Sequence, residues 1–140
     1  RITRIAIANP AFAPYGRAAR TALERQGLWE RVAPRLVIGE NIAQATQFVQ
    51  TGNAQVGIVS LAAVLSKRLR GAGSYYPIPE TAAAPIEQGA IVTRRGMANP
   101  LAARFVGFLR SARARAILAR SGFGLPRGQG SAKPGAPFHG

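Results

Sequence analysis

Residues 4–19 read Arg4-Ile5-Ala6-Ile7-Ala8-Asn9-Pro10-Ala11-Phe12-Ala13-Pro14-Tyr15-Gly16-Arg17-Ala18-Ala19. Arg4–Ala8 is short, apolar and without charge at its far end, which predicts a buried strand. Asn9-Pro10 breaks it, and Ala13-Pro14 opens a helix expected over Tyr15–Gln26, with Gly27 closing it in the left-handed conformation. Ala18, Ala19, Ala22 and Leu23 make the apolar stripe of that helix, while Arg17, Arg20 and Arg25 fall on its polar side. A strand running straight into a helix start presents unpaired backbone N–H groups and the positive end of the peptide dipoles at the junction. Such a junction binds anions without lysine or arginine.

The same arrangement recurs twice. Leu36–Gly39 is followed by a helix expected over Asn41–Thr51, whose Ile42, Ala45, Phe48 and Val49 share one face. A third unit pairs Val56–Ser60 with a helix from about Leu61 to Leu69. Strands alternating with helices predict an α/β fold, a parallel sheet with flanking helices. Ligands of such sheets bind beyond the carboxyl ends of the strands. The bland alternative is that these are ordinary strand-to-helix loops whose N–H groups bond water or capping side chains.

After Arg70 the alternation stops. Ser74–Ile78 reads as a short strand, Pro79–Pro85 as a loop, and Ile86–Thr93 as a further strand interrupted by Gly89. Asn99-Pro100 is a helix start with asparagine as cap, and Leu101, Phe105, Phe108 and Leu109 form its apolar face. A second helix is expected over Ala112–Ser121, ending at Gly122. Residues 126–140, rich in glycine and proline and without periodicity, read as a disordered tail.

The 140 residues are 47% apolar, enough for one domain with a core, and carry no cysteine. Disulfides, thiolate metal sites and a cysteine nucleophile are thereby excluded. The single histidine, His139, lies in the expected tail, there is no aspartate, and the five glutamates are scattered. A serine triad, a carboxylate pair or a histidine–carboxylate metal site cannot be assembled from these residues, so no enzyme, no bound metal and no cofactor are expected. No glycine-rich nucleotide motif is present. The net charge is +14, from nineteen basic residues of which seventeen are arginine. No nucleic-acid motif or interleaved aromatic platform accompanies that charge, which reads first as a solvated basic exterior. No apolar run approaches the roughly 20 residues of a spanning helix. The chain opens on Arg1 without a signal peptide and enters its first strand at once, as expected of a processed chain or a piece of a longer one.

Several stretches resemble the periplasmic molybdate-binding proteins of ABC importers, which belong to the type II class of periplasmic binding proteins. They are Ala6–Pro10 with Ala13–Ala19, Gly39–Ala45 with Phe48–Ala54, Gly57–Ser60, Pro77–Pro79 and Ser121–Phe123. The resemblance runs in order from about residue 2 to residue 125, and the first two stretches together at this spacing are its specific part. It implies a two-lobed receptor that holds its anion between the lobes with neutral donors, in the periplasm, for delivery to an ABC permease. On that reading, residues 1–93 are the second, ligand-binding lobe with its crossover strand, and residues 94–125 are C-terminal helices that normally pack on the first lobe. Most of that N-terminal lobe is absent from the chain. Carried over residue by residue, Tyr15 and Ile42 contact the oxyanion through backbone N–H. Ser60 stands where some members place a ligand-binding tyrosine; serine has the shorter reach, and a water-bridged contact is the alternative to a direct one. Molybdate and tungstate are not distinguished by these residues. A basic polyanion-binding module, or a truncated relative without function, are the alternatives.

Overall fold

In the computed structural model, residues 2–125 are described; the expected tail, with His139, lies outside them. Strand β1 (Ile5–Ala8) leads into helix α1 (Pro14–Arg25) and a short helix α2 (Trp29–Val32). Strand β2 (Leu36–Gly39) leads into α3 (Ile42–Gln50), and strand β3 (Val56–Gly57) into a single turn, α4 (Leu61–Val64). Two helices, α5 (Pro100–Leu109) and α6 (Ala112–Arg120), follow a long irregular stretch.

The three strands are parallel in the order β2-β1-β3. β1 is therefore the central strand, and its Ala6, Ile7 and Ala8 are all fully buried. Side chains alternate across a strand, so both faces of β1 are covered. On the Ala6 face the core is Ala6, Ala45 and Ala54 with Phe48 and Val49 of α3 against it. Helix α1 also packs on β1, through Ala19 and Ala22 among its buried positions. Among the described residues Ile7 is the largest fully buried side chain, and the other buried apolar residues are alanines.

Small residues are what let helices lie so close to the sheet. A Cβ on Gly39 would stand 2.7 Å from the Ala45 nitrogen, and one on Gly57 would stand 2.5 Å from a methyl carbon of Val49. Contacts this short are essentially never made by a real Cβ, so glycine sets the helix-to-strand distance at both places. Gly27 takes the expected left-handed φ, at 64°, and Gly122, which closes the last helix, takes one of 84°.

Four expectations are corrected. The third strand stops at Gly57 instead of Ser60: Ile58 N–H still donates to the Ala6 carbonyl at 2.9 Å, and then the chain leaves the ladder. The helix after it ends at Val64, not Leu69, and dissolves into turns through Gly71. Neither Ser74–Ile78 nor Ile86–Thr93 forms a strand. A strand exists only through a neighbour's hydrogen bonds, and β propensity is largely the packing that neighbour supplies. Among the described residues neither stretch has one, and Tyr76 and Ile91 stand 81% and 84% exposed.

The apolar face of α5 is likewise open. Ala102, Val106 and Leu109 are half-buried, but Leu101, Phe105 and Phe108, one stripe over, are 62%, 60% and 42% exposed.

Candidate functional site

Tyr15 and Ile42 lie in the first turns of α1 and α3, and Ser60 precedes α4. The ends of β1 and β2 are in register, Ala8 opposite Gly39, and Asn9 N–H donates to the Gly39 carbonyl at 2.7 Å. Neighbouring strands lie about 4.8 Å apart, so the loops that start α1 and α3 leave the sheet side by side. The β3 end lies on the other side of β1. All three expected site residues thus fall on the loops at one edge of the sheet, with Tyr15's loop in the middle.

The loop before α1 is built by Asn9. Its side-chain oxygen accepts the Ala11 N–H at 2.9 Å and its carbonyl accepts the Ala13 N–H at 2.8 Å, which turns the chain back on itself. The cap residue is Ala13, which has no side-chain acceptor, and Pro14 at the first helical position has no N–H. Arg17 N–H is the first to find its intrahelical partner, the Ala13 carbonyl at 3.0 Å. The backbone N–H groups of Tyr15 and Gly16 have no partner among the described residues. Gly16 is buried, and a Cβ there would stand 2.5 Å from the carbonyl carbon and oxygen of Asn9. The first turn of α1 therefore rests directly on the backbone leaving β1.

At α3 the cap is Asn41, whose side-chain oxygen accepts the Gln44 N–H at 3.0 Å. Gln44 reaches back, its side-chain oxygen accepting the Glu40 N–H at 2.6 Å. This reciprocal pair fixes the loop but leaves Ile42 and Ala43 N–H without partners among the described residues. The Asn-x-x-Gln spacing at 41–44 is the signal that could have found it in the sequence. Ser60 is the cap of α4: its hydroxyl oxygen accepts the Ala63 N–H at 3.2 Å. A hydroxyl that accepts from the backbone still has its proton to donate.

The arrangement is thus two helix starts with two free N–H donors each and one hydroxyl donor. No lysine or arginine is needed at the strand ends, and the nearest carboxylate in sequence, Glu40, belongs to an exposed residue. Among the described residues, no three of His, Cys, Asp or Glu gather as metal ligands would. Chemically the edge can hold a small anion that accepts hydrogen bonds and donates none.

The profile of the family described as bacterial extracellular solute-binding proteins matches residues 1–124. The chain is 40% identical over 121 residues to the molybdate-binding protein ModA of Azotobacter vinelandii, covering 86% of this chain and 48% of that one. It is 35% identical over 122 residues to ModA of Rhodobacter capsulatus, covering 87% and 47%. Among solved structures, the periplasmic molybdate-binding protein of Azotobacter vinelandii superposes with a TM-score of 0.81 at 30% identity, over 90% of this chain and 55% of that one. The chain spans about half the length of the curated relatives it matches.

Proposed function

This chain belongs to the bacterial extracellular solute-binding protein family, and from that membership we propose that it binds molybdate or tungstate as the substrate-binding component of an ABC importer. The observation that carries the reading is the pair of helix starts, α1 and α3, at adjacent and in-register strand ends, each with two unpaired N–H groups. Relatives that bear the name molybdate-binding protein align over 86% and 87% of the chain.

Tyr15 and Ile42 donate their backbone N–H groups to the oxyanion, and Ser60 donates its hydroxyl directly or through one water. A tetrahedral dianion that carries no proton at neutral pH satisfies every one of these donors. Phosphate at the same pH carries a hydroxyl that would need an acceptor, and leaving it buried and unpaired costs about 1–3 kcal/mol. Sulfate has the charge pattern of molybdate, so size alone separates them. No bond is made or broken: the protein is a carrier that hands the anion to a permease, in the periplasm.

The exposed stripe Leu101, Phe105 and Phe108 receives a first lobe, which closes over the anion from the other side and supplies the remaining donors. Residues 1–93 then form the ligand-binding lobe, and residues 94–125 the helices that pack on its partner lobe.

Calorimetric titration of the chain with molybdate, tungstate, sulfate and phosphate tests the reading. Heat from the first two, with phosphate silent and little dependence on salt, is expected. Phosphate competing on equal terms would refute it, because its hydroxyl proton would then have found an acceptor where the reading places only donors. A steep fall of binding with salt would point to a polyanion site instead.

A further inference from the structure

From residue 88 to residue 125 there are seven arginines, at 94, 95, 104, 110, 113, 115 and 120, and no carboxylate. All seven are exposed, and none meets a carboxylate among the described residues. The rest of the described chain mixes nine basic with five acidic residues. The positive charge is therefore concentrated on α5, α6 and the turn before them. On α6 the concentration has a pattern: Ala114 is buried and Leu118 half-buried, while Arg113, Ile117 and Arg120, spaced i, i+4, i+7, form one outward row with Ile117 42% exposed. Phe123, just past the helix, is 38% exposed.

We propose that this arginine face of α6, together with the exposed Arg104 and Arg110 of the neighbouring α5 segment, docks the protein on an anionic phospholipid surface. Charge complementarity selects the occupant. A second copy would bring the same acid-free arginine rows against each other. Single-stranded nucleic acid would be held by aromatic rings between the arginines, and the α6 row offers only isoleucine; duplex binding, which needs phosphate contacts alone, is an outcome of the test. A short helix with arginines on both sides of a protruding aliphatic residue fits a bilayer interface, where guanidinium groups meet phosphates and the aliphatic tip enters the acyl boundary. The α6 row is distinct from the α5 stripe Leu101–Phe105–Phe108, and the proposal does not depend on the oxyanion reading.

The test is co-sedimentation of the whole chain with phosphatidylcholine vesicles, with and without phosphatidylglycerol, at low and physiological salt. Binding is expected only with phosphatidylglycerol and weaker at higher salt. Arg113→Gln with Arg120→Gln should weaken it by about tenfold, given the usual gain per arginine near such a surface. Removing the same charge from Arg31 and Arg35, both exposed and outside this face, should change it by less than about twofold. Arg113→Lys with Arg120→Lys should preserve binding, which separates lost charge from lost folding. Equal losses from the two glutamine pairs would overturn the proposal, since diffuse net charge would then explain the binding. Sedimentation with pure phosphatidylcholine, none with either vesicle, or displacement from vesicles by stoichiometric duplex DNA would overturn it too. Molybdate titration of Arg113→Gln/Arg120→Gln, expected to match the parent, keeps this outcome apart from that of the strand-end site.

Discussion

Replacing Gly16 by alanine adds one methyl group where α1 rests on the end of β1. That methyl would stand 2.5 Å from the Asn9 carbonyl atoms, against 3.4 Å for ordinary contact, and closer still to the Ala8 oxygen. All three obstacles are backbone, so no rotamer can yield, and the helix start must retreat by about 1 Å in a closely packed interior. Overpacking of this kind costs about 1–3 kcal/mol, and the upper end applies when backbone is the obstacle. Better helix propensity returns about 0.8–1 kcal/mol, which leaves a net loss of about 2 kcal/mol. Gly107, in the middle of α5, has nothing within 4 Å of where its Cβ would be. Alanine there gains the propensity alone, about 0.5–1 kcal/mol. Urea unfolding followed by circular dichroism should show midpoints moving in opposite directions, with Gly16→Ala lower by roughly 1 M for a slope of about 2 kcal/mol/M. The displaced first turn also misaims the Tyr15 and Gly16 N–H groups, so oxyanion affinity should fall by at least about tenfold, since hydrogen bonds weaken steeply off axis. A Gly16→Ala protein as stable as its parent, with unchanged anion binding, would refute the close-approach argument and the role of the α1 start together.

Tyr15→Ala should leave anion affinity within about threefold of the parent because the donor is backbone, whereas Tyr15→Pro, which deletes that N–H, should abolish measurable heat in the same titration. Asn41→Ala removes the α3 cap and should cost about 1 kcal/mol of unfolding free energy, read from the urea midpoint, with a parallel loss of affinity at Ile42. Phe105→Ser should cost far less than the roughly 3–5 kcal/mol of a core phenylalanine, because the ring is already 60% exposed, as read from the urea midpoint. An unfolding midpoint that collapses in Phe105→Ser would mean that the α5 stripe is packed in solution.

The first half of the fold was legible because its signals are local. β2 runs over Leu36–Gly39 as its apolar run predicted, and α1, α3 and α6 lie within a residue of their predicted ends, where Asn41, Gly27 and Gly122 mark the boundaries. Capping and left-handed glycine are properties of a few adjacent residues. What the sequence could not show is what depends on residues far away. Ile86–Thr93 has strand composition, but pairing is granted by a neighbour, and none is present among the described residues. The candidate site divides the same way. The helix starts at Tyr15 and Ile42 could be read from Pro14 and Asn41, and the hydroxyl at Ser60 from its place after an apolar run. That Gly16, Gly39 and Gly57 are close-approach positions could not, since a glycine in a helix or strand looks only like a weakness until the element it touches is known.

The unpaired N–H groups at the two helix starts make the strand-end edge a natural reporter of its own occupancy. Amide hydrogens without a partner exchange with solvent deuterium close to the rate of an open chain, whereas those held in the ladder wait for the structure to open. Asn9 N–H, bound to the Gly39 carbonyl at 2.7 Å, belongs to the slow class, and Tyr15, Ile42 and Ala43, none of them buried, belong to the fast one. Filling the edge with an anion would move those three into the slow class and leave Asn9 where it is. A single time course of deuterium uptake, resolved by residue, thus distinguishes an empty edge from a filled one without any label, dye or enzyme readout.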